Sequence, residues 1–111
     1  MSSIILLDTV HRAGRLLPRR AAGLRAGMVV LKPGGVMDWH STRTREELLI
    51  AFEGRLRVEV QSSGKRRGQR VRRMTVNGGQ CVFLPRRTVH RVVNQSRKRA
   101  NYLYVTGAVE T

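Results

Sequence analysis

Acidic side chains are scarce in this sequence of 111 residues: seven Asp and Glu stand against 22 Lys and Arg, a formal net charge of +15. Cysteine is scarcer still. Cys81 is alone, so no internal disulfide supports the fold and the core must come from apolar packing. A chain of this length buries roughly 60–65% of its unfolded surface, enough for one domain over residues 1–111. Cys81 lies in the apolar run "CVFLP" and is expected to be buried and inert. Runs of 18 or more apolar residues are absent, which excludes a membrane-spanning helix. The opening "MSSIILLDTV" has no basic flank and a short apolar run. It is expected to be a first strand rather than a signal peptide, with a reducing, cytoplasmic location. Amphipathic helical spacing is also missing. The nearest approach, "HRAGRLLPRRAAGLRAG", is interrupted by Gly14, Pro18 and Gly23, which leaves it a loop or an irregular first strand.

Arginine supplies most of what is abundant: 19 of the 22 cations, scattered from Arg12 to Arg99. Such an excess makes nucleic acid or another polyanion a partner to weigh. The densest run, "KRRGQRVRR" at residues 65–73, holds no aromatic ring on which a base could stack. Polyanion binding is therefore the less favoured reading.

The apolar pattern has a period of two. "LRVEV" alternates Leu56, Val58 and Val60 with Arg57 and Glu59, and "YLYV" alternates rings with aliphatics. "MVVL", "LLIAF" and "CVFL" are continuous apolar runs, expected to be strands buried on both faces. Turn signals punctuate them at regular intervals: "KPGG", "EGR", "SSGK", "VNGG" and "NQSRK". Many short strands and no helix make a β-sandwich or β-barrel the expected class.

Chemistry concentrates in two glycine-bounded segments. The first carries Gly34, His40, Thr42, Glu47 and Gly54; the second carries Gly79, Pro85, His90 and Asn94. At these spacings the two segments resemble the paired motifs of the cupin superfamily. Thr42 stands where the family's first motif has a second His, and Arg87 where its second motif has an inner glycine. The stretch 55–78 between them reads as a hairpin. The resemblance implies an all-β, double-stranded β-helix or jelly-roll barrel, with motif 1 at 34–54 and motif 2 at 79–94. It also implies that His40, Glu47 and His90 meet inside the barrel as ligands of one metal ion.

Parity supports that convergence. His40 and residue 42 are two apart on an extended segment and share a face, as do Glu47, Leu49 and Ala51 on the next strand. Thr42, Leu49, Ala51 and Val92 are the expected pocket-lining residues, Thr42 as a hydroxyl rather than a ligand. Two imidazoles and a carboxylate suit a divalent transition metal such as Fe, Mn, Zn or Ni, and suit Ca²⁺ or Mg²⁺ poorly. A metal-free His–Glu hydrogen bond is the alternative arrangement. Trp39 has the opposite parity to His40 and is expected outside the cavity; Tyr102 and Tyr104 share a face and could border it. His11 belongs to neither motif. The Arg87 turn is expected to differ from the family's.

The expected function is that of a small metal-dependent enzyme, dioxygenase-like or isomerase-like, acting on a small molecule in the barrel. A ligand-binding module without turnover is the alternative, and a polyanion-binding basic protein a further one. Single-domain members of the family resemble one another in pairing through outer sheet faces. A homodimer is expected, with Leu48, Ile50 and Phe52 as one candidate surface.

Overall fold

A computed structural model describes residues 4–9, 13–61 and 70–109; His11 and the stretch 65–69 of the basic run lie outside the described residues. Within them the period-two segments become nine strands: β1 (Gly14–Arg15), β2 (Leu24–Leu31), β3 (Val36–Ser41), β4 (Arg45–Glu53), β5 (Arg55–Gln61), β6 (Val71–Asn77), β7 (Cys81–Leu84), β8 (Val89–Asn94) and β9 (Ala100–Ala108). They form a five-stranded sheet, β1-β2-β9-β4-β7, and a four-stranded sheet, β3-β8-β5-β6, with every pairing antiparallel. From β2 to β5 the chain changes sheet at each step, and from β6 to β9 it does so again. That topology is a jelly roll. Among the described residues no helix is long and apolar enough to cross a membrane.

Inward side chains of both sheets make the core: Val29 and Leu31 of β2, Leu49 and Ala51 of β4, Leu56 and Val58 of β5, with Val76, Leu84, Val92, Ala100 and Tyr102. Each fully buried aliphatic of this set contributes roughly 1.5–3 kcal/mol. β5 and β6 pair from Arg55↔Asn77 to Gln61↔Val71, forming the hairpin expected between the motifs.

Three expectations are corrected. Residues 4–9 are not strand, and Ile4 and Leu6 are exposed; the first strand is β1. "LLIAF" is not buried on both faces: Leu49 and Ala51 point into the core, while Leu48 and Ile50 are half-buried and Phe52 is exposed. β7 behaves likewise. Val82 packs against the core and Leu84 lies within it, whereas Cys81 and Phe83 point outward, so Cys81 is exposed rather than buried. The physical reason is shared. An apolar run looks continuous when both faces of a strand meet apolar neighbours, whichever face the core lies on.

On the outer face of the four-stranded sheet, arginines gather around one acid. Glu59 is 1% exposed, shielded by arginine chains rather than by the core. Arg73 Nε donates to its Oε2 at 2.9 Å and Arg91 Nε to its Oε1. Arg57 Nε lies 3.1 Å from Oε2, an ion pair outside hydrogen-bonding geometry. Arg91 also rests over the Trp39 ring, 4.9 Å from its centroid, which sets Trp39 on this outer face. Burial raises the Glu59 pKa, but the bonds from Arg91 and Arg73 and the charges of Arg57 and Arg91 outweigh it, leaving the carboxyl below its ordinary range. A depressed carboxylate contributes stability above its unfolded pKa and loses it as pH falls through the folded value. Glu59→Gln should therefore destabilise by about 2 kcal/mol at neutral pH, where three guanidiniums lose their counter-charge. The gap from the parent should close as pH drops through the acid range. Urea melts across that range check it; a gap independent of pH would contradict the assignment.

Candidate metal centre

His40 on β3 stands opposite His90 on β8, and opposed residues of an antiparallel pair share a face. Between Met37↔Val92 and His40↔His90 the register shifts, so β3 carries one extra residue. That bulge brings both Met37 and His40 to the inner side, which plain alternation would not do. The imidazoles touch, with centroids 4.3 Å apart and planes tilted by 56°. On β4, Glu47 is buried, pairing with Thr106 of β9 on one side and Leu84 of β7 on the other. Its Oε2 lies 3.4 Å from His90 Nε2.

Each imidazole is oriented by a backbone carbonyl two residues earlier: His40 Nδ1 lies 2.7 Å from Asp38 O, and His90 Nδ1 3.1 Å from Thr88 O. A carbonyl only accepts, so Nδ1 is the protonated nitrogen and Nε2 is left as a lone pair. His90 is fully buried, and its Nε2 has no hydrogen-bond partner. A bare lone pair thus faces a carboxylate oxygen, and the two repel unless something positive lies between them. Either a second proton on His90 or a metal cation would serve. Two donors each about 2.1 Å from a tetrahedral ion lie about 3.4 Å apart, so the spacing fits an N, O ligand pair. Among the described residues, no group of three or more His, Cys, Asp or Glu side chains is arranged to hold a metal ion. His90 and Glu47 form the contact pair, and His40, exposed on the cavity side, meets it through ring packing.

Thr42 is committed elsewhere. Its hydroxyl donates to Pro85 O at 2.8 Å and accepts from Thr88 N at 3.0 Å, clipping β3 to the turn before β8. That turn contains Arg87, whose φ of 60° is the left-handed conformation for which glycine is the usual residue. The expected departure in this turn is thus one of side chain and not of backbone hand. Arg87 N donates to Arg43 O at 2.7 Å, and Arg43 is itself left-handed at φ 58°. Asn94 is a bracket rather than a site residue: its amide donates to the carbonyls of Leu31, Lys32 and Lys98, and its oxygen accepts from Ser96 N.

A cavity of about 910 Å³ opens above these residues, and His40, Thr42 and Glu47 are in its wall. Leu49, Ala51 and Val92, expected at the lining, pack in the core instead, because their longer cross-strand neighbours Tyr104, Tyr102 and Met37 line the space in their place. The wall is completed by Met37, Tyr102, Tyr104, Thr106 and several arginines, among them Arg25 and Arg45. Burial, then the charges of Glu47 and Tyr104, push the Tyr102 phenol above the ordinary tyrosine range, so it remains a hydroxyl donor. Tyr104 lies against Gly27, where a Cβ would come within 2.6 Å of its hydroxyl. Thr106 and Arg45 escaped the sequence reading, although parity carried from Tyr104 and Glu47 along their strands points to both.

A protein-family model described as "Cupin domain" matches residues 27–106. Among solved structures, the fold superposes on oxalate oxidase with a TM-score of 0.71 at 22% identity, covering 78% of this chain and 42% of that one. Peruvianin-I, a cysteine peptidase from Thevetia peruviana latex, gives 0.70 at 21%, covering 78% and 51%. The Cnp3 cupin domain of Schizosaccharomyces pombe gives 0.73 at 12%, covering 87% and 60%. The chain thus spans about half the length of these structures, and identities this low concern the fold alone. No curated protein matches the sequence.

Proposed function

Because this chain belongs to the cupin family, we propose that His40, Glu47 and His90 hold a divalent transition-metal ion, Fe, Mn, Zn or Ni, and that a small molecule is bound and transformed in the cavity beside it. The observation that carries this reading is the buried, partnerless Nε2 of His90 facing Glu47. The carbonyl-oriented Nδ1 atoms leave ligand lone pairs available on both imidazoles. With Thr42 bonded to its turn, the protein supplies three donors and leaves coordination positions open.

Bound there, the ion would supply Lewis-acid or redox chemistry, dioxygenase-like or isomerase-like. The chain's own residues do the rest. Among the described residues Glu47 is the one carboxylate in the cavity wall, Tyr102 is a buried hydroxyl near it, and Met37 and Val29 give the wall an apolar side. Binding without turnover is the second reading, favoured because among the described residues that wall holds no acid–base carboxylate other than Glu47. Elemental analysis of untagged protein tests the proposal against a His40→Ala, His90→Ala double variant. The parent should carry close to one ion per chain and the variant almost none; equal contents would overturn it.

A second copy of the chain is the proposed partner. The outer face of the five-stranded sheet joins Leu48 and Ile50 of β4 to Leu103 and Val105 of β9 and to Cys81 and Phe83 of β7. Phe83 is 58% exposed. No arginine or lysine is among these six, so here two strongly cationic chains can meet without setting cation directly against cation. Phe83→Glu should turn a dimer into a monomer in sedimentation velocity; a parent already monomeric at high concentration would refute the pairing.

A further inference from the structure

We infer that the cavity's ligand is a small organic anion bearing carboxylate groups, recognised by an arginine rim. Such a ligand would occupy the site proposed above, beside the ion. Among the described residues, five arginines, Arg15, Arg19, Arg25, Arg43 and Arg45, line the cavity, against Glu47 as the one carboxylate. Glu47 is engaged with His90 and not with the rim. Among the described residues Arg15, Arg19, Arg25 and Arg43 make no ion pair. Arg45 spends its donors on neutral oxygens: Nε on Thr106 Oγ1, and its terminal nitrogen on the carbonyls of Gly23 and Thr106.

On the outer face one group of arginines has its own counter-ion. There Glu59 is enclosed by Arg57, Arg73 and Arg91. Among the described residues the rim has no such acid, so its positive field converges on open space. Register places it over the metal centre: Arg25 of β2 stands opposite Thr106 of β9, which stands opposite Glu47 of β4. Arg43 adds a second sign. Its backbone is held left-handed at φ 58°, a conformation that residues with a side chain seldom adopt, and its long cationic chain lines the cavity. Guanidiniums present paired N–H donors that match a carboxylate's two oxygens. A neutral ligand would leave that field uncompensated.

Calorimetric titration of metal-free and zinc-loaded protein with malonate, and with its neutral diamide malonamide, tests the inference. Malonate should bind the metal-free protein at least about tenfold more tightly than malonamide, and Arg25→Gln and Arg43→Gln should each weaken it about three- to tenfold. Arg43→Lys should recover part of the loss, and zinc content should be the same in all three variants. Zinc failing to bind would sink the metal proposal while leaving the anion result readable. Absent malonate binding, equal affinity for malonate and malonamide, or unchanged affinity in both Gln variants overturns the anion. Tight binding of a single-stranded oligonucleotide in place of malonate would overturn it too, in favour of a polyanion.

Discussion

His90→Ala should reduce Co²⁺ or Zn²⁺ affinity about a thousand-fold, near 4 kcal/mol, the share of one ligand among a few in a tight transition-metal site. The expectation rests on how His90 is held. It is fully buried, its Nδ1 is bonded to Thr88 O, and its Nε2 is already aimed at Glu47. Removing it deletes a preoriented donor and leaves Glu47 buried without its partner. His40→Ala should cost less, roughly ten- to a hundred-fold, because His40 is exposed and part of its donor role can pass to water. Glu47→Gln keeps the shape and removes the charge, and should fall between the two. Visible absorption of the cobalt-loaded protein reads all three directly. If the positive charge between His90 and Glu47 is a proton, cobalt would bind the parent and the variants equally poorly. His90→Ala would then show only as a loss of stability.

Gly54→Ala should destabilise by about 3 kcal/mol or more, lowering the melting temperature by roughly 10–15 °C. Gly54 closes motif 1 at the turn between β4 and β5, with φ at 91°. A Cβ there would sit 2.5 Å from Ala100 Cβ, 3.1 Å from Ala100 Cα and 3.0 Å from Ser96 Oγ. The backbone of Ala100 cannot give way easily, since it begins β9, and Ser96 Oγ already accepts from Arg55 N. Gly34 provides the control. Its φ is also positive, at 74°, but no atom lies within 4 Å of an added Cβ. Gly34→Ala should cost only the backbone strain, about 1 kcal/mol. Melts of the two variants side by side decide it: equal, small losses would mean that the β4–β5 turn relaxes and the close approach is not structural.

The comparison between these glycines shows how far sequence alone reaches. Motif spacing marks both, yet only the approach of Ala100, 46 positions downstream of Gly54, separates a tight contact from open space. Thr42 gives the same lesson. Its place in the motif is readable, but the hydroxyl's engagement with Pro85 and Thr88 depends on a loop 43 residues away. The arginine rim was illegible for a different reason: cations scattered along a uniformly basic sequence carry no label until β2, β4 and β9 are placed side by side.

What the linear order of residues determined by itself is where the strands run and, on a regular strand, which side chains share a face. Strand alternation is a local property, and glycine turns with His and Glu at family spacing mark where the strands end. What required the folded chain is everything set by which strands are neighbours. That includes the outward turn of Cys81 and Phe83, the bulge that aims His40 inward, the unpartnered nitrogen of His90 against Glu47, and the positive rim above them. Contacts across a jelly roll join residues far apart along the chain, so no short window of sequence contains both partners.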